Sequence, residues 1–275
     1  MSAQSPASGK GVTILDLREM KARGERIAVL TAYDWLFARL VDTSGIDIIL
    51  VGDSLGQVVL GLDSTVGVTL NDMIHHARAV CRGVSRSMVV VDLPFLTYQL
   101  STEEAVRNAG RVLQESGATA VKLEGGSTRI AGTVERMVEA GIPVMGHLGF
   151  TPQSVHTLGG NRVQGRDDES RQRLRDEARR LQDAGAFSIV LELIPGDLAA
   201  DLSADLRIPT IGIGAGPHCD GQVLVLPDML GLNREFNPRF LRRFAELGDQ
   251  AEAALREYVS AVKDGSYPTA EHTFS

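Results

Sequence analysis

Short continuous apolar runs recur along the chain, separated by stretches whose apolar positions stand three and four apart. The runs have the form of strands buried on both faces, and the stretches between them that of amphipathic helices. Strands are predicted at Ala28–Tyr33, Ile48–Val51, Met88–Val91, from Ala120 into Lys122, and at Ile142–Gly146, Ile189–Leu191, Ile208–Gly214 and Val223–Leu226. A helix opens at Thr13-Ile-Leu-Asp16, which has capping-box form with Asp in the acidic position; Leu17 and Met20 continue its stripe and Gly24 stops it. A second helix begins at Asp34 with Leu36, Phe37, Leu40 and Val41 as its apolar face, and others run from Thr69 to Gly83 and from Ser101 to Glu115.

Ser44-Gly45, Ser116-Gly117, Ala140-Gly141 and Ala184-Gly185 each close a helical pattern just before an apolar run. A glycine there is the left-handed stop that turns a helix back into a strand. The repeated unit of helix, glycine stop and strand implies parallel strands joined by helices. A (β/α)8 TIM barrel is the first choice, with the Thr13 helix plugging its bottom, and an open doubly wound sheet is second. Beyond Pro227 the pattern is helical only, from Phe240 through Val262, which predicts extra C-terminal helices serving as packing or oligomer surface.

The 275 residues and 43% hydrophobic content suit one α/β barrel, so a single domain is expected over 13–275, preceded by a loosely ordered tail over 1–12. No apolar run approaches the roughly 18 residues of a spanning helix, and Met1–Lys10 lacks the apolar centre of a secretory signal. A cytoplasmic protein with no membrane contact is expected. The formal charge of −7 without a basic cluster argues against nucleic acid; Arg171–Arg180 interleaves Asp176 and Glu177 and is predicted as a solvated helix face. Cys81 and Cys219 have no Cys-x-x-Cys partner, which argues against a disulfide scaffold and against structural zinc.

The chemistry stands where the strands stop. The runs end at Asp53-Ser54, Asp92, Lys122-Leu-Glu124, His147 and Glu192, which in a closed barrel converge at the carboxyl ends. Buried carboxylates in such number call for a cation, and an oxygen-rich set with at most one His favours Mg2+ over zinc. A metal and Lys122 together suit a 2-oxo acid and the charge that develops when a proton leaves beside its carbonyl; Glu192 is free to act as general base. Plainer readings stand beside these. Each Asp also suits a helix cap, Lys122 and Glu124 a simple ion pair, and His147 a structural or supporting histidine. Ile211–Gly216 resembles a phosphate-binding loop, but its glycines equally permit close turns.

The segments Leu50–Gly56, Val91–Phe95, Val121–Gly126, Gly146–Ser154 and Gly212–Gly216, the last followed by Asp220-Gly-Gln222, together resemble the 3-methyl-2-oxobutanoate hydroxymethyltransferase family. The resemblance runs in order from about Thr13 to Phe274. It implies a barrel enzyme that passes a one-carbon unit from 5,10-methylenetetrahydrofolate to 3-methyl-2-oxobutanoate, giving 2-dehydropantoate for pantothenate synthesis. By motif match, Asp53, Asp92 and Glu124 would be Mg2+ ligands. Asp53, Ser54, Asp92 and Lys122 would contact the oxo acid, and Glu192 would accept the proton. A homo-oligomer, commonly a decamer in bacterial members, is also implied. Gly67 stands where the family usually has proline, and Asp167 where glycine is common. Two rivals stay open: a Mg2+-dependent lyase or mutase of the phosphoenolpyruvate and isocitrate lyase kind, and a non-catalytic binding barrel.

Overall fold

A computed structural model of the chain describes residues 11–274. The expected loose tail therefore lies, through residue 10, outside the described residues, while Val12 is held by its N–H donating to Arg86 O at 2.8 Å. In chain order the elements are α1 (Ile14–Arg23), β1 (Ile27–Thr31), α2 (Trp35–Thr43), β2 (Ile48–Val51), α3 (Leu55–Val58), α4 (Leu70–Gly83), β3 (Met88–Asp92), α5 (Thr102–Ser116), β4 (Ala120–Glu124) and α6 (Thr128–Glu139). They continue with β5 (Val144–Gly149), α7 (Val155–Leu158), α8 (Asp168–Asp183), β6 (Ser188–Glu192), α9 (Gly196–Asp205), β7 (Thr210–Ile213), β8 (Gly221–Leu224), α10 (Leu226–Met229) and α11 (Leu247–Asp264). The strands are parallel and close in sequence order, β8 pairing with β1, so the barrel and not the open sheet is the fold.

The joints form as their residues dictate. Gly45, Gly117, Gly141 and Gly185 all take left-handed backbone, with φ from 81° to 92°. Thr13 and Asp16 complete a capping box on α1, which buries Leu17 and Met20 in one cluster with Ile27, Ile48, Met88 and Met145 near the strands' amino ends. The helix does plug the barrel bottom. Beside it Lys21 Nζ donates to Asp220 Oδ2 at 2.7 Å and to Ser203 O at 2.8 Å.

Four local expectations are corrected. Leu36 and Leu40 are exposed, and α2 instead buries Ala38, Val41 and Asp42. The small face wins because Gly83 of α4 packs so closely that an added Cβ would meet Trp35 O at 2.8 Å. Strand β8 starts at Gly221, ahead of its apolar run, since Gly221 presses against β1 where a Cβ would lie 2.4 Å from Ile27 O. Residues 240–246 are irregular, not helical, with Phe244 N donating to Met229 O and Leu247 N to Leu230 O. The Arg-rich face of α8 is not simply solvated: Arg171, Arg175 and Arg179 pair with Asp197, Asp201 and Asp205 of α9.

By contact the chain forms two compact units, Met1–Val225 with all eight strands and Leu226–Ser275 with the surplus helices. Among the described residues no helix is long and apolar enough to cross a membrane.

Candidate active site

Alternation along the strands decides which side chains look into the barrel. Ile48 and Leu50, Met88 and Val90, Ala120, Met145, and Val190 fill the interior. Counting on in twos reaches Asp92, Lys122, Glu124, His147 and Glu192, which therefore sit above the apolar column at its carboxyl end. Register aligns them sideways: Asp92 pairs with Lys122, Glu124 with His147, and Gly149 with Glu192. Asp53 enters from the turn after β2.

The side chains meet. Lys122 Nζ lies 2.7 Å from Asp92 Oδ1, and Asp92 Oδ2 accepts the Asp53 N–H at 3.0 Å. His147 Nδ1 stands 3.4 Å from Lys122 Nζ and 3.6 Å from Glu124 Oε1; its Nε2 is 3.2 Å from Glu192 Oε2. Ser54 Oγ shares a 2.9 Å hydrogen bond with the Tyr33 hydroxyl, and both Ser54 Oγ and Asp92 Oδ2 crowd the space beside Gly52. Every residue singled out from the sequence is thus brought to one rim. Glu192 is the least covered of the acids, its side chain 17% exposed against 3–4% for Glu124 and Asp92, and so the most open to a substrate.

Gly149 explains how Glu192 is aimed. Its φ is 94°, and a Cβ there would lie 2.1 Å from Glu192 O, so only glycine lets β5 press onto the end of β6. Phe150 N donates to that same Glu192 oxygen at 2.8 Å. Leu193, immediately after, holds a left-handed φ of 46°, a costly conformation for a bulky side chain and a form of strain that clusters at functional sites.

Gln153 and Tyr98 were not singled out from the sequence, because neutral residues in loops give no strand-end signal. Gln153 Nε2 donates to Asp53 Oδ2 and to Leu93 O, each at 2.9 Å, and its backbone N–H reaches Glu124 Oε2 at 3.1 Å. Its Oε1 accepts from the Tyr98 hydroxyl at 2.8 Å, which fixes the amide's orientation. One buried residue therefore ties two of the acids together, Asp53 through its side-chain amide and Glu124 through its backbone N–H.

The electrostatics follow from crowding. Burial, with Asp92 adding and Lys122 and Gln153 opposing, raises the Asp53 carboxyl to about 7. Burial and then Asp53 push Glu124 well above the carboxylate range. Glu192 is raised to about 8 by burial, with Lys122 opposing and Asp92 adding. Burial works against the Lys122 charge, but Asp92, Asp53 and Glu124 outweigh it and hold the ammonium up at about 12. Burial and then Lys122 drive His147 well below its usual value, so its ring is neutral.

A divalent cation with oxygen ligands fits this donor set. One lysine cannot neutralise four carboxylates, and buried Asp92 Oδ1 touches Lys122 without an aligned hydrogen bond. In their present rotamers, no three His, Cys, Asp or Glu among the described residues stand close enough to hold a metal together, and Gln153 holds Asp53 and Glu124 in place.

The family model described as ketopantoate hydroxymethyltransferase matches residues 11–270. The chain belongs to this family. The 3-methyl-2-oxobutanoate hydroxymethyltransferase of Syntrophus aciditrophicus is 55% identical over 274 residues, covering 100% of both chains. That of Heliobacterium modesticaldum is 55% identical over 265 residues and 96% of each. Among solved structures, 2,3-dimethylmalate lyase, a PEP mutase/isocitrate lyase superfamily member, aligns with a TM-score of 0.59 and 21% identity over 97% of this chain and 93% of that one. Phosphonopyruvate hydrolase in complex with oxalate and Mg++ aligns with a TM-score of 0.62 and 13% identity over 96% and 92%. At such identities the likeness carries the fold alone, whereas membership of the ketopantoate hydroxymethyltransferase family rests on the whole chain.

Proposed function

We propose that this chain transfers a hydroxymethyl unit from 5,10-methylenetetrahydrofolate to 3-methyl-2-oxobutanoate, giving 2-dehydropantoate. The observation that carries the reading is the raised, partly open carboxylate of Glu192, which His147 links to the single buried lysine of the rim. A base whose pKa lies near neutrality is matched to taking a proton from carbon next to a carbonyl. Glu192 takes the C3 proton, and the Lys122 ammonium faces the negative charge left on the oxo acid. Water adds to the folate's methylene carbon, both carbon–nitrogen bonds break and tetrahydrofolate leaves; C3 then bonds to the freed one-carbon unit, whose carbonyl oxygen, supplied by the water, takes up a proton and becomes the hydroxyl.

Ser54, Asp53 and Asp92 line the oxo acid's place, and neutral His147 spans the gap between Lys122 and Glu192, keeping both aimed. Asp53, Asp92 and Glu124 would hold a Mg2+ ion, which when bound supplies Lewis-acid polarisation of the substrate's carbonyl. Gln153 limits the rotation of Asp53 and Glu124. A cytoplasmic homo-oligomer, a decamer on the family pattern, completes the proposal; sedimentation gives its size.

The test is tetrahydrofolate-dependent consumption of 3-methyl-2-oxobutanoate with 2-dehydropantoate identified as product. A lyase or mutase would consume no folate, and a binding barrel would make no product. Either result would remove the proposal.

A further inference from the structure

Helix α8 and the loop before it divide their arginines into two sets. Arg171, Arg175 and Arg179 are spent on the aspartates of α9, and Arg180 donates to Gly126 O at 3.1 Å. Arg162, Arg166 and Arg173 make no ion pair and donate no side-chain hydrogen bond among the described residues, and all three line one cavity of about 810 Å3. Its two carboxylates are unequal rivals. Asp167 is occupied, accepting from Ser170 N and Ser170 Oγ, each at 2.8 Å, which leaves Glu169 as the one acid not engaged in the helix cap.

The cavity is anchored to the active rim. Gln164 N donates at 2.9 Å to the carbonyl of Leu193, the residue that follows Glu192. Gly165 is wedged so tightly that a Cβ would meet Leu198 at 2.7 Å and Leu174 at 2.9 Å. Arg173 feels the charges of Glu177 and Asp167 without bonding to either, and guanidinium groups with free N–H donors beside a strand end suit carboxylates, which they grip through paired N–H donors.

We infer that this cavity receives the glutamate tail of the folate co-substrate, with Arg162, Arg166 and Arg173 facing its carboxylates; the inference rests on the folate reaction proposed above. The pterin and aminobenzoyl groups carry no such anionic charge, so recognition by arginine falls to the tail. Each contact is solvent-exposed and individually weak, and the effect grows with the number of glutamates.

The experiment measures the KM for the 5,10-methylene derivatives of tetrahydropteroyl mono- and triglutamate. In the wild type, KM is expected to fall about tenfold from one glutamate to three, with the advantage shrinking at high salt. Arg162→Gln, Arg166→Gln and Arg173→Gln combined should erase that ratio through KM and not kcat. Arg173→Lys should restore part of it, and the paired Arg179→Gln should leave it intact. Turnover with the same ratio in the combined variant as in the wild type would overturn the inference alone. Absence of any folate-dependent turnover in the wild type would overturn the underlying reading and the inference with it.

Discussion

Asp42, in the last turn of α2 below β3, and Glu192, at the top of β6, are both largely covered carboxylates, yet the barrel treats them in opposite ways. Asp42 accepts from the backbone N–H groups of Ser85, Arg86 and Ser87 and from the Ser85 hydroxyl. Burial raises its pKa, but those donors more than offset this and hold it down to about 2. Glu192 meets a neutral histidine and, among the described residues, no backbone donor, and burial, outweighing the opposing charge of Lys122, raises it to about 8. At the amino end Asp47 and Asp220 are likewise tied to backbone N–H groups of Ala28 and Thr210. One end uses its acids to hold strands and helices together; the other crowds four of them around a single lysine and leaves Glu192 against a neutral histidine, which is the condition of a group waiting for substrate or cation.

The contrast breaks most visibly at Lys122. Replacing it with Met removes the one buried cation among the rim acids and is expected to cost roughly 3–5 kcal/mol in chemical denaturation, with C3 proton exchange lost as well. A stable, active Lys122→Met variant would mean the rim charges are balanced some other way. Asp42→Ala strands three backbone donors and should cost about 3 kcal/mol by the same assay, while activity per folded molecule is kept. If its specific activity collapses instead, the division between the two ends is wrong.

Gln153→Leu should lower C3 exchange and Mg2+ affinity each by about tenfold or more, the second read by calorimetry, with Gln153→Glu failing to restore them. The smallest effect is in the pH dependence of stability, where the two ends have opposite signs. The lowered Asp42 gives stability that is present above the ordinary carboxylate range and lost as pH falls through about 2. The raised Asp53 and Glu192 give, in cation-free protein, stability that is present below that range and lost as pH rises towards about 7 and 8. Asp42→Ala should flatten the acid limb of the denaturation midpoint and Glu192→Gln the neutral limb. The reverse assignment would exchange the roles of the two ends.

The same division shows what could be read from the chain. Glycine stops and runs ending in Asp53, Asp92, Lys122, Glu124 and Glu192 were legible because backbone chirality and period-two alternation act locally. The start of β8 was not, because Gly221 is set by the approach of β1 and not by its own hydrophobicity. Leu36 and Leu40 misled for a related reason: the contact of α2 with Gly83 selects small residues over large ones. Gln153 and Tyr98 escaped notice because they hold the acids from loops, and a neutral amide in a loop has no sequence pattern of its own.

Loss of substrate deuterium from C3 of 3-methyl-2-oxobutanoate, followed with Mg2+ present and no folate, reads the work of Glu192 as a base in isolation. The wild type should wash the label out, and Glu192→Gln, a near-isosteric change at the exposed edge of the rim, should slow the loss by about a thousandfold while keeping the fold. Undiminished exchange in Glu192→Gln would remove Glu192 from the role of base and place another base on the rim.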